Sequence, residues 1–462
     1  MKFPDRLRQT SLPVLLVLGI FAALLAAFCL GAFVFRHISN GGDKIPQPIA
    51  KAVVALAEAP SQVKHAATEV FLQITIGNHH ALLIAKDKVW GPGWEHKFPA
   101  PDDDGFLLLS GLSPTHKQST VRLIRIADGQ VMAEWVPDWK LIHDKTSHHR
   151  WAPKGSSNTY RAIHPLLLKD GGLIFNTVAS LVRQPLCSRA PAWVLNYPHH
   201  HSIELAPDGQ SIWAPSVTEN FYSDHPVLRQ QLRDDSLAQI SLDGRVIQNL
   251  SFSKILIENG FTSQLLGTTG GLINPDPIHL NQISPAETDT PFWNKGDLLI
   301  SARNLSTVYL YRPSSGKIIW HQQGPWLNQH SAHFHKSDAI AVFGNDIYAP
   351  DIKDPFINHS KRNAVYLHNF DTKNTHEIHQ KILNEMNPRT KTQGRVRVLD
   401  NLDIFIEETN NARLFKINSH GNLQWVYFNE YSDSDLGNVS WSRYLARTEL
   451  SETVDPAKLV CN

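Results

Sequence analysis

The N-terminal part of the sequence stands out as a long uncharged apolar run. Residues 12–35 read LPVLLVLGIFAALLAAFCLGAFVF and carry no charged side chain. A helix of this length crosses the roughly 30 Å hydrocarbon core of a bilayer. Lys2, Arg6 and Arg8 precede the run, and such basic residues favour the cytoplasmic side. We therefore predict a cytoplasmic segment over 1–11 and a transmembrane helix over 12–35. The rest of this single-pass inner-membrane protein would lie on the periplasmic, extracytoplasmic side.

A cleaved signal peptide is the alternative for this run. Its apolar part is longer than the roughly 7–15 residues usual for a signal peptide, and no A-x-A site ends it cleanly. We favour the anchor. Residues 36–85 follow, first polar with Gly and Pro, then rich in Ala with helical apolar spacing. This segment is predicted to be a short helical stalk or linker.

The pattern changes after the stalk, where short β-branched and aromatic runs alternate with Asp-Gly, Gly-Gly and Asn-Asp turns. One unit recurs: a polar lead residue, a short apolar strand, a turn and a second strand. It reads HPLLLKDGGLIFNT from His164, HSIELAPDGQSIWAP from His201, HSAHFHKSDAIAVFG from His330 and QGRVRVLDNLDIFIEE from Gln393. A fifth copy, HLNQISPAETDTPFWNKGDLLISARN, begins at His279. Recurrence of this kind indicates a repeat architecture.

A second hairpin follows several of these copies, as in VYLYRPSSGKIIWHQQG, LAQISLDGRVIQNLSF and ARLFKINSHGNLQWVYF. VRLIRIADGQVMAEWVP is a further example near the beginning, preceded by GFLLLSGLSP. Two hairpins make a four-stranded blade, and the repeats bring the count of blades to six. The predicted fold class is therefore all-β, with a six-bladed β-propeller over 86–462.

Four histidines lead their repeats: His164, His201, His279 and His330. Inner strands of a propeller line its central channel, so residues at the same place in each repeat should converge at one mouth. Taken singly, each histidine is more simply a structural residue that bonds a neighbouring blade. Their recurrence in register instead predicts a shared site in the channel.

Composition narrows the function classes. Lys plus Arg number 44 and Asp plus Glu number 43, so nothing in the charge balance favours nucleic-acid binding. Of the three cysteines, Cys29 lies in the predicted span. Cys187 and Cys461 could form a disulfide, as a non-cytoplasmic compartment permits, or remain two thiols.

The segments HHSIELAPDG, DPIHLNQISP, LLISARNLSTVYLYRPSSGKIIWHQQGP and NQHSAHF…AVFGND resemble the bacterial arylsulfotransferase family. The resemblance is strong over about 160–350 and implies a six-bladed propeller with its active site in the channel. It also implies transfer of a sulfuryl group from an aryl sulfate to a phenolic acceptor, without a nucleotide donor or other cofactor.

The resemblance also implies site residues. His330, in Gln329-His330-Ser331-Ala332, takes the place of the transiently sulfated nucleophile. His201, His279 and Arg303 match residues expected to hold the sulfuryl oxygens. We further expect contributions to substrate binding from His200, His164, Asn304, Gln329 and His333.

Two alternatives to this interpretation remain. Neutral imidazoles also bind zinc or copper, but Arg303 beside them would repel a cation, so no metal is expected. A membrane-anchored binding or scaffold propeller without transferase activity is the second alternative.

Overall fold

The computed structural model describes residues 19, 21–31, 83–86, 95, 97–146, 159–177, 180–218, 232–267, 274–347, 362–454 and 459. The chain divides into two compact units, one of residues 1–77 with 268–273 and the other of 78–267 with 274–462. In the first unit, residues 21–31 form a helix whose large apolar side chains, among them Phe21 and Phe28, are exposed. Most of the predicted stalk lies outside the described residues.

Within the described ranges, the structure contains no helix with both the length and the apolar character needed to cross a membrane.

The second unit is an all-β propeller of six four-stranded antiparallel sheets. Blade 1 contains β2 (Phe106–Leu112), β3 (Ser119–Arg125), β4 (Val131–Trp135) and, innermost, β26 (Arg443–Leu445). Blade 2 contains β5 (Ile163–Leu167), β6 (Leu173–Asn176), β7 (Leu181–Gln184) and β8 (Trp193–Leu195). Blade 3 contains β9 (Glu204–Leu205), β10 (Ser211–Thr218), β11 (Asp234–Ser241) and β12 (Val246–Ser251).

The other three blades repeat this order from the inside outwards. Blade 4 contains β13 (Leu280–Pro285), β14 (Leu298–Ala302), β15 (Thr307–Arg312) and β16 (Lys317–Gln323). Blade 5 contains β17 (Ser331–His335), β18 (Ala339–Gly344), β19 (Ala364–Asn369) and β20 (Asn374–Glu377). Blade 6 contains β21 (Arg395–Val398), β22 (Ile404–Glu408), β23 (Arg413–Ile417) and β24 (Leu423–Phe428). The predicted all-β class and the six blades are confirmed.

A small extra sheet joins β1 (Leu83–Ala85) to β25 (Asp435–Gly437). The sequence prediction placed residues 83–85 at the end of a helical stalk, whereas here they are a strand of the propeller unit. The pairing explains the difference, because a run of three apolar residues adopts whichever structure its partner strand provides. Short helices, all outside the blades, are α1 (Trp139–Asp144), α2 (Phe252–Glu258), α3 (Thr262–Leu266), α4 (Gln380–Met386) and α5 (Arg447–Thr453).

The ring of blades is closed by pairing between two strands from distant parts of the chain. Arg443, Tyr444 and Leu445 pair with Leu108, Leu107 and Phe106, so a late strand supplies the inner edge of the first blade. Side chains of the middle strands are buried on both faces, whereas outer strands such as β16 alternate between partly buried and exposed positions. The cores therefore lie between adjacent blades, and the inner strands are left to line the channel.

Candidate active site

A residue with left-handed backbone precedes or begins the inner strand of every blade. Such a conformation is uncommon for residues other than glycine and often accompanies functional sites. In blades 1 to 6 these residues are Trp441 (φ 58°), His164 (51°), His201 (59°), His279 (54°), Asn328 (52°) and Gln393 (61°).

His330 is not among these residues, since it follows Asn328 by two positions. His164, His201 and His279 therefore share a left-handed backbone that His330 lacks. His201 and His330 do share a different feature. Each precedes a serine whose hydroxyl accepts a backbone N–H of the next blade: Ile283 to Ser202 at 3.1 Å, and Val396 to Ser331 at 3.2 Å.

Three of the predicted histidines come together around His201. Its ring centroid lies 5.3 Å from that of His279 and 5.9 Å from that of His330. His200 packs against it at 5.0 Å, and Trp441 at 5.7 Å. We call His200, His201, His279, His330 and Arg303 the histidine cluster.

The hydrogen bonds of His330 define its tautomer. Its Nδ1 lies 2.6 Å from the Asn345 side-chain oxygen and 3.2 Å from the Asn328 carbonyl. Because both partners are acceptors, Nδ1 carries the proton and Nε2 keeps the lone pair. That lone pair accepts the backbone N–H of Gln393 at 2.9 Å. Burial, and then the charge of Arg303, lower the pKa of His330 to about 3, so the ring is neutral near pH 7.

His200 and His201 form a chain of donors that begins at an arginine. The Arg233 guanidinium donates to His200 Nε2 at 2.8 Å, and His200 Nδ1 lies 2.8 Å from His201 Nδ1. Arginine only donates, so a neutral His200 satisfies the closer of its two Nε2 contacts with its proton on Nδ1, from which it donates to His201. The other contact, Asp235 at 3.4 Å from Nε2, also lies 2.8 Å from Arg233 Nε. A neutral His201 then holds its own proton on Nε2. Burial lowers the pKa values of both rings, which favours this neutral form.

Asp235 and Asp276 support the same cluster from outside the rings. Asp235 lies 2.8 Å from Arg233 Nε and accepts the Leu280 N–H at 2.6 Å, which anchors the arginine at the head of the donor chain. Asp276 accepts from His279 Nδ1 at 2.5 Å. His279 therefore keeps Nε2 for proton exchange with a bound molecule.

Arg303 follows strand β14, and its backbone N–H donates to the His279 carbonyl at 3.1 Å. One terminal nitrogen donates to the Asn304 side chain at 2.8 Å. Its buried Nε has no hydrogen-bond partner among the described residues. An unsatisfied guanidinium N–H beside neutral imidazoles is suited to an oxyanion.

The other predicted residues mainly hold the scaffold. Asn304 accepts from Arg303 and donates to the Asp276 carbonyl at 2.6 Å. Gln329 is buried and donates to the carbonyls of Ala302 and Thr307 at 3.1 and 2.9 Å.

His333 and His164 lie further from the cluster. His333 Nε2 accepts the Val398 N–H of blade 6 at 3.2 Å. His164 Nδ1 accepts the Ile203 N–H at 2.9 Å, and its ring contacts that of Trp441 rather than the other histidines. Both rings thus bond a neighbouring blade.

Sequence reasoning did not find Asn345, Trp441, Asp276 or Arg233. Asn345 was visible only as part of a Gly-Asn-Asp turn. Trp441 contacts His164, His201 and His330, and its indole N–H is buried without a partner among the described residues. Its place before β26, in register with the lead residues of other blades, was a signal that could have found it.

The metal alternative can be compared with the donor set. In the part of the chain that the structure describes, no group of three His, Cys, Asp or Glu side chains is arranged to hold a metal ion. Cys187 is disulfide-bonded, while Cys461, which the sequence offered as one candidate partner, lies outside the described residues.

Solved structures give similarities at low identity. A protein of unknown function from Bacteroides caccae is 12% identical, with a TM-score of 0.44, covering 74% of this chain and 99% of that one. Kuenenia stuttgartiensis hydrazine synthase is 11% identical, with a TM-score of 0.40, covering 72% and 80%. Virginiamycin B lyase from Staphylococcus aureus is 11% identical, with a TM-score of 0.37, covering 74% and 98%. A search of curated proteins gives no match.

Fold and site together define a six-bladed propeller whose channel holds neutral imidazoles and an arginine suited to anions. The family model described as Arylsulfotransferase (ASST) matches residues 166–430, more than half of the chain. The protein belongs to the arylsulfotransferase family, and this membership supports a sulfotransferase-type enzyme.

Proposed function

We propose that the protein moves a sulfuryl group from an aryl sulfate to a phenolic acceptor, without a nucleotide donor, through a sulfohistidine at His330. The observation that carries the proposal is the state of the His330 ring. It is buried and neutral, its Nδ1 proton is held by Asn345 at 2.6 Å, and its lone pair is on Nε2. A neutral imidazole with a fixed tautomer is a suitable nucleophile.

In the first half-reaction, the Nε2 lone pair attacks sulfur. The S–N bond forms as the S–O bond to the aryl group breaks, and the bonding electrons leave with the phenolate oxygen. Charge on the sulfuryl oxygens is stabilised by the Arg303 guanidinium and by the His201 Nε2–H. As in phosphoryl transfer, positioning and electrostatics carry most of the catalysis.

In the second half-reaction, a phenol oxygen attacks the sulfur and the S–N bond returns its electrons to Nε2. The phenol must lose its proton, and His279 Nε2 can accept it because Nδ1 is engaged by Asp276 at 2.5 Å. Phenolates are good leaving groups, so aryl donors suit this chemistry better than alkyl ones.

The backbone N–H of Gln393 affects both half-reactions, because it contacts His330 Nε2. Its N–H occupies the His330 lone pair at 2.9 Å, so attack requires this bond to be given up. Once sulfur is bound to Nε2, the same N–H can donate to a sulfuryl oxygen instead. The contact also favours a second candidate, a binding propeller without transfer, in which His330 only joins blade 5 to blade 6.

Labelling distinguishes the two candidates. The full chain is incubated with an aryl [³⁵S]sulfate, quenched, and mapped by peptide. We expect label on the peptide that contains His330, and its release on addition of phenol. His333→Gln, a change in the same strand, should keep the label. Transfer to phenol with no label at His330 would rule out the covalent route, and absence of both label and transfer over many aryl sulfates would favour the binding propeller.

We also propose that the protein is anchored by residues 12–35, with the propeller on the periplasmic side. Support comes from the uncharged run and the basic residues before it. A reporter fused after residue 462 tests the orientation. Activity of a periplasm-specific reporter is expected, and activity of a cytosol-specific one alone would contradict the proposal.

A further inference from the structure

A second group of cationic side chains lies further along the inner strands than the histidine cluster. Arg395 and Arg397 from β21 and Arg443 from β26 line a cavity together with Leu166 and Glu449. The cavity volume is about 70 Å³, several times the roughly 10–15 Å³ that one water requires. We call this the arginine cavity.

Two of these arginines have carboxylate partners. Arg397 Nη1 lies 2.7 Å from Glu449, and Arg443 Nη1 lies 3.0 Å from Glu204. Arg395 differs, because it has no ion pair with a carboxylate among the described residues. Its Nη1 contacts His164 Nε2 and lies 3.4 Å from the Ser442 carbonyl. Both are neutral groups, so no anionic side chain balances the guanidinium charge by direct contact.

Arg395 is also deeply buried. The residue is 7% exposed, and its Nε has no hydrogen-bond partner among the described residues. Two acids act on it from a distance, Glu204 and Glu407. Glu204 is bound to Arg443, while Glu407 accepts the N–H groups of Trp441 and Ser442 at 2.7 and 2.6 Å. Burial, and then Arg443, lower the pKa of Arg395 to about 10, in line with the lack of a carboxylate in direct contact.

A buried, unpaired cation beside a cavity is costly for the folded protein, and an anion in the cavity would remove that cost. We propose that the arginine cavity is a binding site for a small oxyanion, a sulfate-like or carboxylate group held by the Arg395 guanidinium. His164 and Trp441 separate it from the histidine cluster: the Trp441 ring contacts His164 at 5.4 Å and His201 at 5.7 Å. It is therefore a site additional to the one proposed for sulfuryl transfer.

Equilibrium dialysis of the full chain against [³⁵S]sulfate tests this directly, because it requires no turnover. Arg303→Met serves as the parent, since it removes the guanidinium of the histidine cluster. Ionic strength is kept constant with chloride. We expect the parent to bind one sulfate per chain saturably, and Arg395→Met added to it to raise the dissociation constant at least tenfold. Arg245→Met, an exposed arginine with the same change in net charge, is the matched control and should leave binding unchanged.

A second variant guards against misfolding of Arg395→Met. Leu166→Trp fills the cavity from β5 and leaves every arginine in place, so it should also weaken sulfate binding. Competition with sulfate separates the two sources of the anion. If 4-hydroxybenzoate displaces sulfate more effectively than inorganic phosphate does, the site binds an anionic group on an organic substrate. If phosphate is the better competitor, the site binds a free ion. Sulfate binding that is absent in the parent, or unchanged in both cavity variants, overturns the proposal whatever the outcome of the transfer assays.

Discussion

His330 in blade 5 and His164 in blade 2 look alike in the sequence and in much of the structure. Both are buried, both have lowered pKa values because of burial, and both accept a backbone N–H of the next blade at 2.9 Å. They differ at the second ring nitrogen. His330 meets the Asn345 side-chain oxygen, an acceptor that fixes its proton, whereas His164 meets the guanidinium of Arg395, a donor.

The comparison shows that burial and strand position alone do not distinguish the proposed nucleophile, His330, from His164. His330 has acceptors at Nδ1 and a donor at Nε2, so a single neutral tautomer satisfies both ring nitrogens. It also lies beside His201 and Arg303, where an anion can be held. His164 faces a donor at each ring nitrogen, the Ile203 N–H and the Arg395 guanidinium, and so connects blade 2 to blade 3 and to the arginine cavity. The partner of the second nitrogen is thus the feature that distinguishes the two roles.

The largest expected effect separates the two histidines directly. His330→Ala should reduce sulfuryl transfer from 4-nitrophenyl sulfate to phenol to the uncatalysed background, because both half-reactions pass through Nε2. His164→Gln, which keeps a side chain able to accept the Ile203 N–H, should retain transfer within about tenfold. Release of nitrophenolate and formation of phenyl sulfate measure the two half-reactions. Comparable losses in the two variants would contradict the division of roles.

Arg303 provides the next largest effect. Arg303→Lys keeps a positive charge but loses the planar fork and the free Nε–H. Loss of one strong transition-state donor typically costs about 10²–10³ in rate, so traces of transfer should remain. Steady-state kinetics should show the loss mainly in kcat. A variant as active as the wild type would show that Arg303 does not contact the sulfuryl oxygens.

Asn345 sharpens the comparison at the nitrogen that distinguishes the histidines. Asn345→Leu removes the acceptor that holds the His330 Nδ1 proton and should lower kcat by about 10²-fold through misorientation of the ring. Asn345→Asp restores an acceptor and should recover part of the rate. ¹⁵N chemical shifts of the His330 ring would report the tautomer. A kcat in Asn345→Leu equal to that of the wild type would remove Asn345 from the mechanism.

The smallest effects concern pH. The His330 pKa of about 3 means that its protonation should not reduce transfer until the pH approaches that value. The free energy of unfolding should begin to fall at a higher pH than the transfer rate does. A buried histidine with a depressed pKa takes up its proton more readily when unfolded, so stability is fully present above about 6.5 and falls as the pH drops towards the folded-state value.

His333, with a pKa of about 3, illustrates this linkage. Each such histidine adds a slope of up to about 1.4 kcal/mol per pH unit between these limits. His333→Gln should therefore flatten the fall of Tm between pH 6 and pH 4. An unchanged slope would mean that His333 takes up its proton as readily in the folded protein as in the unfolded chain.

Much of the fold could be predicted from the sequence because blade repeats leave local signals. Paired apolar strands with Asp-Gly or Gly-Gly turns identify hairpins one by one. The strand Leu83–Ala85 could not be predicted in this way, because its partner Asp435–Gly437 is more than 300 residues away.

The sequence predicted the residues of the candidate site only where the residue type itself indicates a chemical role. Histidines at strand starts are visible in the sequence, so His201, His279 and His330 could be grouped. Asn345, Arg233 and Trp441 act through hydrogen bonds and ring contacts across blades, which no spacing reveals. Nor does spacing separate His164 from the cluster, since its role depends on Arg395 and Trp441 from two other blades.

The pairing of β26 with β2, which closes the ring, has a consequence for how the protein folds during synthesis. Trp441 and Arg443 reach the channel only when β26 docks on Phe106–Leu108. During synthesis the five other blades can form first. Until β26 is made, the edge of β2 stays unpaired and can associate with other chains. A chain interrupted before residue 441 would therefore lack the indole ring that contacts His164, His201 and His330, even with the other five blades formed.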